Sequence, residues 1–108
     1  MTVDITTASI EAFKLYNEGR RLHVAGKFAE SVPLMLKAVE KDPEFAMAYR
    51  SLCMGLWSVG RREEGLRYLR KAFDLSDRTS IKEGFWIQSD YNNQSEKTLN
   101  KSREILQK

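Results

Sequence analysis

The chain has 108 residues, of which 42% are hydrophobic and 31% charged, and its formal net charge is +3. This length suits a single domain, and the apolar share is too high for a disordered chain. No apolar run reaches the roughly 20 residues that a membrane helix needs, and the mild positive charge falls short of a nucleic-acid-binding patch. The single cysteine excludes an internal disulfide, so we expect a cytoplasmic protein without a signal peptide.

The beginning of the chain predicts a loose lead-in followed by two helices. Residues 1–8 lack periodicity, whereas apolar residues recur at helical spacing over residues 9–25 and 28–41. Ser9 is a suitable N-cap because its hydroxyl can accept a hydrogen bond from a free backbone amide. Gly26 can end the first helix because glycine readily adopts a left-handed backbone conformation.

The middle of the chain predicts a second pair of helices. Asp42 and Pro43 mark a sharp boundary, because aspartate is a favoured N-cap and proline suits the first position of a helix. We therefore predict helices over residues 43–59 and 62–75, separated by Gly60.

The end of the chain predicts a third and weaker pair. Ser80 and Glu83 have the spacing of a capping box, in which each side chain bonds the other residue's backbone amide. This predicts a fifth helix over residues 80–91. Two asparagines at residues 92–93 indicate a turn, and residues 94–108 then predict a sixth, weakly amphipathic helix.

Residue types repeat at an interval of 34 positions through the first four helices. The identical pairs are Ala12/Ala46, Leu22/Leu56, Gly26/Gly60, Glu30/Glu64, Lys37/Lys71 and Ala38/Ala72. A period of this length is typical of helix–turn–helix units that must stack on their neighbours to bury their apolar faces. The sequence therefore predicts an all-α stack of antiparallel helix pairs.

The repeating units, residues 12–45 and 46–79, resemble the tetratricopeptide repeat (TPR). Residues 80–108 match only loosely, as a degenerate third pair or cap. The family's landmarks are Gly19, Leu22, Gly26, Phe28, Glu30, Ala38, Asp42 and Pro43 in the first unit, and Tyr49, Leu52, Leu56, Gly60, Glu64 and Ala72 in the second. The resemblance implies one domain over residues 9–108, built as a right-handed superhelical stack of about six helices.

This chain departs from the TPR pattern at a few positions. Glu18 stands where the family usually has leucine, and the second unit ends without the usual proline. Gly65 stands where alanine is usual, which should cost about 1 kcal/mol of helix propensity. Segments 6–16 and 75–80 are similar to parts of bacterial multidomain signalling proteins, which implies that the chain is a domain of a larger protein.

The first helix of each unit leaves one stripe of side chains, at positions i, i+4 and i+7, beside its packed face. In TPR proteins such stripes lie side by side on a concave face that binds a peptide or a helix. With its flanking residues, the predicted partner-binding groove consists of Tyr16, Asn17, Arg20, His23, Arg50, Ser51, Met54 and Trp57. Arginine can bind a carboxylate through two parallel hydrogen bonds, so we expect a protein or peptide partner with an acidic group.

Two alternatives involve the end of the chain. The fifth helix or the tail could fold over the groove residues, and Trp57 could be a core residue under Trp86. Phe85, Trp86 and Tyr91 could instead form a homodimer interface, so self-association is the alternative function.

The sequence shows no catalytic or metal-binding arrangement. His23 is the only histidine, whereas a metal site needs several convergent ligands and covalent catalysis needs a nucleophile beside a base. Cys53 falls in a helical stripe and is interpreted as a buried apolar residue. We therefore expect a non-enzymatic interaction module without a cofactor or metal.

A cluster of arginines on the fourth helix is the one feature that suggests nucleic acid. It consists of Arg61, Arg62, Arg67 and Arg70. Glu63 is placed to neutralise Arg67 one helical turn away, and acidic residues alternate with basic ones elsewhere. We therefore expect neither a nucleic-acid nor a membrane partner.

Overall fold

The computed structural model describes the backbone of residues 7–106 and the side chains of residues 7–94. The helices are α1 (Ile10–Val24), α2 (Phe28–Lys41), α3 (Ala46–Ser58), α4 (Arg62–Asp74) and α5 (Ile81–Leu106), with a 3₁₀ turn at Ser76–Arg78. No strand occurs within residues 7–106, so the all-α prediction is confirmed. Each helix packs on the next in chain order, and α3 also touches α1 and α5.

The loops that end α1 and α3 have the same geometry 34 residues apart. Gly26 and Gly60 adopt φ angles of 79° and 83°, in the left-handed region that favours glycine. The next amide then reaches back to the preceding helix, so that Lys27 N donates to Leu22 O at 2.7 Å. Arg61 N donates to the equivalent Leu56 O at 2.9 Å. Both glycines end their helices as predicted.

The predicted N-caps of α1 and α5 are also present. Ser9 Oγ accepts a hydrogen bond from Ala12 N at 3.1 Å. At the start of α5, Glu83 N donates to Ser80 Oγ at 3.2 Å, and Ser80 N donates to Glu83 Oε1 at 3.3 Å. This reciprocal pair is the capping box predicted from the spacing of the two residues, and it fixes the beginning of α5.

Helix α3 begins at Ala46, three residues later than predicted. Asp42 Oδ1 accepts from Glu44 N at 3.1 Å, and Asp42 O accepts from Phe45 N at 3.1 Å, so residues 42–45 form a turn. The second carboxylate oxygen of Asp42 accepts from Thr7 Oγ1 at 2.5 Å. The aspartate thus stabilises a turn and holds the segment before α1, instead of capping α3.

The predicted turn at residues 92–93 is wrong, because α5 continues through both asparagines to Leu106. Asparagine costs less than about 0.7 kcal/mol in a helix interior, far less than proline. Packing on α4 supports the helix here, since the Tyr91 ring stacks on Phe73 with centroids 4.3 Å apart. The described residues therefore form five helices and not six. Residues 1–6 of the lead-in, residues 107–108 and the side chains of 95–108 lie outside the described part.

Small residues allow the helices to approach closely in the core. Ala12, Ala38 and Ala72 are fully buried. A Cβ atom at Gly19 would lie 2.5 Å from Met35 Cε, which shows how tightly α1 meets α2. Cys53 is buried as expected, and burial raises the pKa of its thiol to about 12. Within residues 7–106, no helix combines the length and apolarity needed to cross a membrane.

Candidate binding cleft

An open cleft of about 410 Å³ lies between α1 and α3. We call it the α1/α3 cleft. Its lining residues are Tyr16, Arg20, His23, Val24, Phe28, Met47, Arg50, Ser51, Met54 and Trp86. Six of the eight predicted groove residues therefore line one cleft. Asn17 is exposed outside this lining, and Trp57 lies elsewhere.

Tyr16 and Ser51 form the buried floor of the α1/α3 cleft. Their exposed fractions are only 2% and 5%. The Tyr16 ring packs on Phe45 with centroids 5.1 Å apart. Burial raises the pKa of the Tyr16 hydroxyl, although Arg20 and a hydrogen bond from the Ser51 side chain oppose the shift. Tyr16 is thus mainly a core residue and offers little surface to a partner.

His23 is held neutral at the side of the cleft. Its Nε2 lies 2.7 Å from Ser31 Oγ, and that hydroxyl donates to Phe28 O at 2.6 Å. Because the hydroxyl proton is used, Nε2 must carry the proton of the imidazole and donate it to Ser31. Burial lowers the pKa of His23, and the charges of Arg20 and Arg50 lower it further. His23 therefore orients the α1–α2 junction and contributes no positive charge near neutral pH.

The two arginines of the cleft have different roles. Arg50 Nε donates to Asp90 Oδ2 of α5 at 2.6 Å, and both side chains are partly buried. The Arg50 guanidinium also lies 5.9 Å from the centre of the Trp86 ring. Arg20 is exposed and forms no ion pair with any residue of the described part. Arg20 is thus the guanidinium available to a partner, while Arg50 is engaged by α5.

Trp57 faces α4 and not the α1/α3 cleft. Its Nε1 donates to Arg62 O at 3.1 Å, and its ring lies 5.4 Å from the Arg62 guanidinium. It lines a smaller cleft of about 140 Å³ together with Asp90 and other residues of α3, α4 and α5. Trp86 lines the α1/α3 cleft, and its ring contacts Arg50 and Lys82. Trp57 is only half-buried, so the alternative in which it is a core residue is wrong.

Four residues outside the predicted groove also line the α1/α3 cleft: Val24, Phe28, Met47 and Trp86. The position of Met47 was indicated by the sequence, because it lies 34 positions after Phe13, beside the predicted stripe. Val24 and Phe28 flank the loop after α1, where helical periodicity no longer indicates toward which face a side chain points. Trp86 enters the cleft from α5, and its position depends on how α5 packs on α3 and α4.

The chemistry of the α1/α3 cleft suits binding. Apolar surface from Met54 and Trp86 lies near the positive charge of Arg20, while Met47 is buried. The acidic Glu83 is close enough to raise the pKa of Tyr16, but it is only 1% exposed. In the part of the chain with described side chains, no three histidine, cysteine or acidic residues are grouped to hold a metal ion.

Comparison with known proteins gives no family for the chain: no protein-family model matches it, and no curated protein matches it significantly. Function is therefore inferred from the chemistry of the cleft.

Proposed function

We propose that the chain is a non-catalytic protein-interaction module that binds a peptide or a helix in the α1/α3 cleft. The proposal rests on one observation: side chains from two helical stripes, 34 positions apart in sequence, line the same open cleft. A partner would place an acidic group against Arg20 and an apolar side chain against Met54 and Trp86. The cleft volume of about 410 Å³ falls in the range of roughly 300–1,000 Å³ that is usual for ligand sites.

The composition of the cleft favours a protein partner. Aromatic and arginine side chains dominate the binding energy of many interfaces, and methionine adapts its shape to different apolar groups. Arg20 can bind a carboxylate through two parallel hydrogen bonds without first breaking an ion pair. A partner that reaches Arg50 would have to compete with Asp90.

We further propose that α1 to α4 form two TPR units in a right-handed superhelical stack, with α5 as the first helix of a divergent third unit. The matching loops at Gly26 and Gly60 and the packing of α3 on both α2 and α4 support this arrangement. The resemblance of sequence also favours a cytoplasmic domain of a larger bacterial protein as its setting.

Affinity capture with matched charge variants would test the proposed function. Arg20→Glu reverses the charge in the cleft, whereas Arg21→Glu makes the same change at the neighbouring exposed position outside it. We expect a protein retained by the wild type and by Arg21→Glu to be lost with Arg20→Glu. The retained protein, once purified, should then bind the Arg20→Glu variant about tenfold more weakly than the wild type. Equal retention by all three proteins would contradict binding in the α1/α3 cleft.

Self-association remains the second candidate function, supported by the outer surface of α5. Ile81 and Phe85 lie one helical turn apart and are 94% and 67% exposed. Trp86 and Tyr91, which were expected to join this surface, pack instead on Lys82 and Phe73. Sedimentation velocity over a range of concentrations would test this function. A concentration-independent monomer would exclude it, and a dimer lost with Phe85→Glu would support it.

A further inference from the structure

A second open cleft, of about 420 Å³, lies between α2 and α4. We call it the α2/α4 cleft. Its lining residues are Val32, Leu36, Leu56, Arg61, Glu64, Arg67, Tyr68 and Lys71. It shares none of them with the α1/α3 cleft. Both α2 and α4 pack on α3, and the buried Leu56 of α3 lies between them.

The α2 wall of this cleft is apolar. Val32 and Leu36 lie one helical turn apart, and Leu36 remains 41% exposed. On α4, the Tyr68 ring stacks on Tyr49 with centroids 5.9 Å apart, which fixes its position opposite this wall. An apolar side chain from a partner would remove Leu36 and Tyr68 from water, which favours binding.

The α4 wall is basic. Arg67 and Lys71 lie one helical turn apart and are exposed, and neither forms an ion pair with a residue of the described part. The Lys71 ammonium lies 5.3 Å from the centre of the Tyr49 ring, which holds it near the cleft. The predicted ion pair between Glu63 and Arg67 is not formed.

The acidic residues near the cleft leave this positive charge largely uncompensated. Glu64 Oε2 lies 2.6 Å from Arg61 Nη2, so these two residues neutralise each other. An adjoining hollow at the start of α4 adds Arg62 and Glu63, again one charge of each sign. The charges of Arg67 and Lys71 therefore remain for a partner.

We infer that the α2/α4 cleft is a second docking site, and that its partner is an acidic peptide segment with a bulky apolar side chain. The apolar side chain packs between Leu36 and Tyr68, and carboxylates flanking it bind Arg67 and Lys71. Charge complementarity selects an acidic partner, since the free charges of the cleft are both positive. The apolar wall favours a peptide over nucleic acid, whose phosphates gain affinity mainly from neutralisation by basic side chains.

Selection of short random peptides displayed on phage, with the intact chain as target, would test this inference. We expect selected peptides to be enriched in acidic residues around one large apolar residue. Fluorescence anisotropy with the synthesised peptides should show a Kd about tenfold higher for Arg67→Glu/Lys71→Glu. Lys14→Glu/Arg21→Glu makes the same change in net charge on α1, outside both clefts, and should bind like the wild type. Circular dichroism would verify the fold of each variant.

Two further variants separate this site from the proposed function. Leu36→Ala should raise the Kd of the selected peptides severalfold without any change of charge. Arg20→Glu should leave that Kd unchanged. Peptides that respond only to Arg20→Glu would overturn the inference and leave the α1/α3 proposal standing. Absence of acidic enrichment would also overturn it, as would tighter binding of single-stranded DNA of equal length at the same cleft.

Discussion

Replacing Gly65 with alanine should destabilise the chain, although alanine is the better helix former. Gly65 lies in α4 beneath Trp57, and a Cβ atom there would lie 2.5 Å from Trp57 Cδ1 and 2.6 Å from Nε1. Carbon atoms in ordinary contact are about 3.5–4.0 Å apart, so the indole would have to move by about 1 Å. The substitution thus sets helix propensity against packing.

The magnitude follows from three contributions to the free energy of unfolding. Alanine gains about 1 kcal/mol of helix propensity over glycine. Displacing the indole strains its packing by about 1 kcal/mol. The shift also breaks the 3.1 Å bond from Trp57 Nε1 to Arg62 O, a loss of about 1 kcal/mol. The net destabilisation is therefore about 1 kcal/mol, which lowers Tm by about 4–8 °C.

A double-mutant cycle measured by urea denaturation would check this reasoning. In a Trp57→Ala background the indole is absent, and only the 3.0 Å contact of the Cβ atom with the backbone oxygen of Cys53 still opposes the gain in helix propensity of about 1 kcal/mol. The destabilisation by Gly65→Ala should therefore be smaller in the Trp57→Ala background than in the wild type. If Gly65→Ala raises the stability of the wild type, Trp57 does not pack on Gly65 and the account of α3–α4 packing fails.

Three further predictions concern the core and the α1/α3 cleft. Ala38→Leu should lower the free energy of unfolding by about 1–3 kcal/mol, because Ala38 is fully buried; an unchanged Tm would contradict this packing. Cys53, with its pKa raised to about 12, should react with a thiol reagent at mildly alkaline pH only after unfolding, and rapid reaction of the native chain would contradict its burial. The lowered pKa of His23 means that the unfolded chain binds the proton more readily. The stability due to its neutral form is complete above its ordinary pKa of 6.5 and is lost as the pH falls through the lower folded value. Urea midpoints should therefore fall more steeply below pH 6.5 for the wild type than for His23→Gln, and parallel curves would refute this.

The sequence determined the ends of most helices because the interactions that fix them are local. Ser80 and Glu83 are three residues apart, and their capping box depends on little besides a helix that starts between them. Gly26 and Gly60 likewise end their helices, and the amides of the next residues, Lys27 and Arg61, donate to carbonyls five residues before them. The 34-residue period then indicated that the same helix ends recur in a second pair of helices.

Where the local sequence has only a weak preference for helix or turn, the tertiary structure decided where a helix begins or ends. The asparagines at residues 92–93 can occupy either a turn or a helix at a small difference in free energy. Contacts such as the stacking of Tyr91 on Phe73 then stabilise the helix. At Asp42, a turn that also binds Thr7 competes with capping of α3, and the sequence alone does not rank these two uses of one carboxylate.

By itself the sequence determined that the chain is helical and that two side-chain stripes follow the same period. Helical geometry then brings most of the predicted residues to one cleft. Only the tertiary structure decided which of these side chains remain available. Arg50 is engaged by Asp90, 40 residues later, and Trp57 turns toward the space left by Gly65. Such contacts join different helices, so the spacing of residues within one helix carries no information about them.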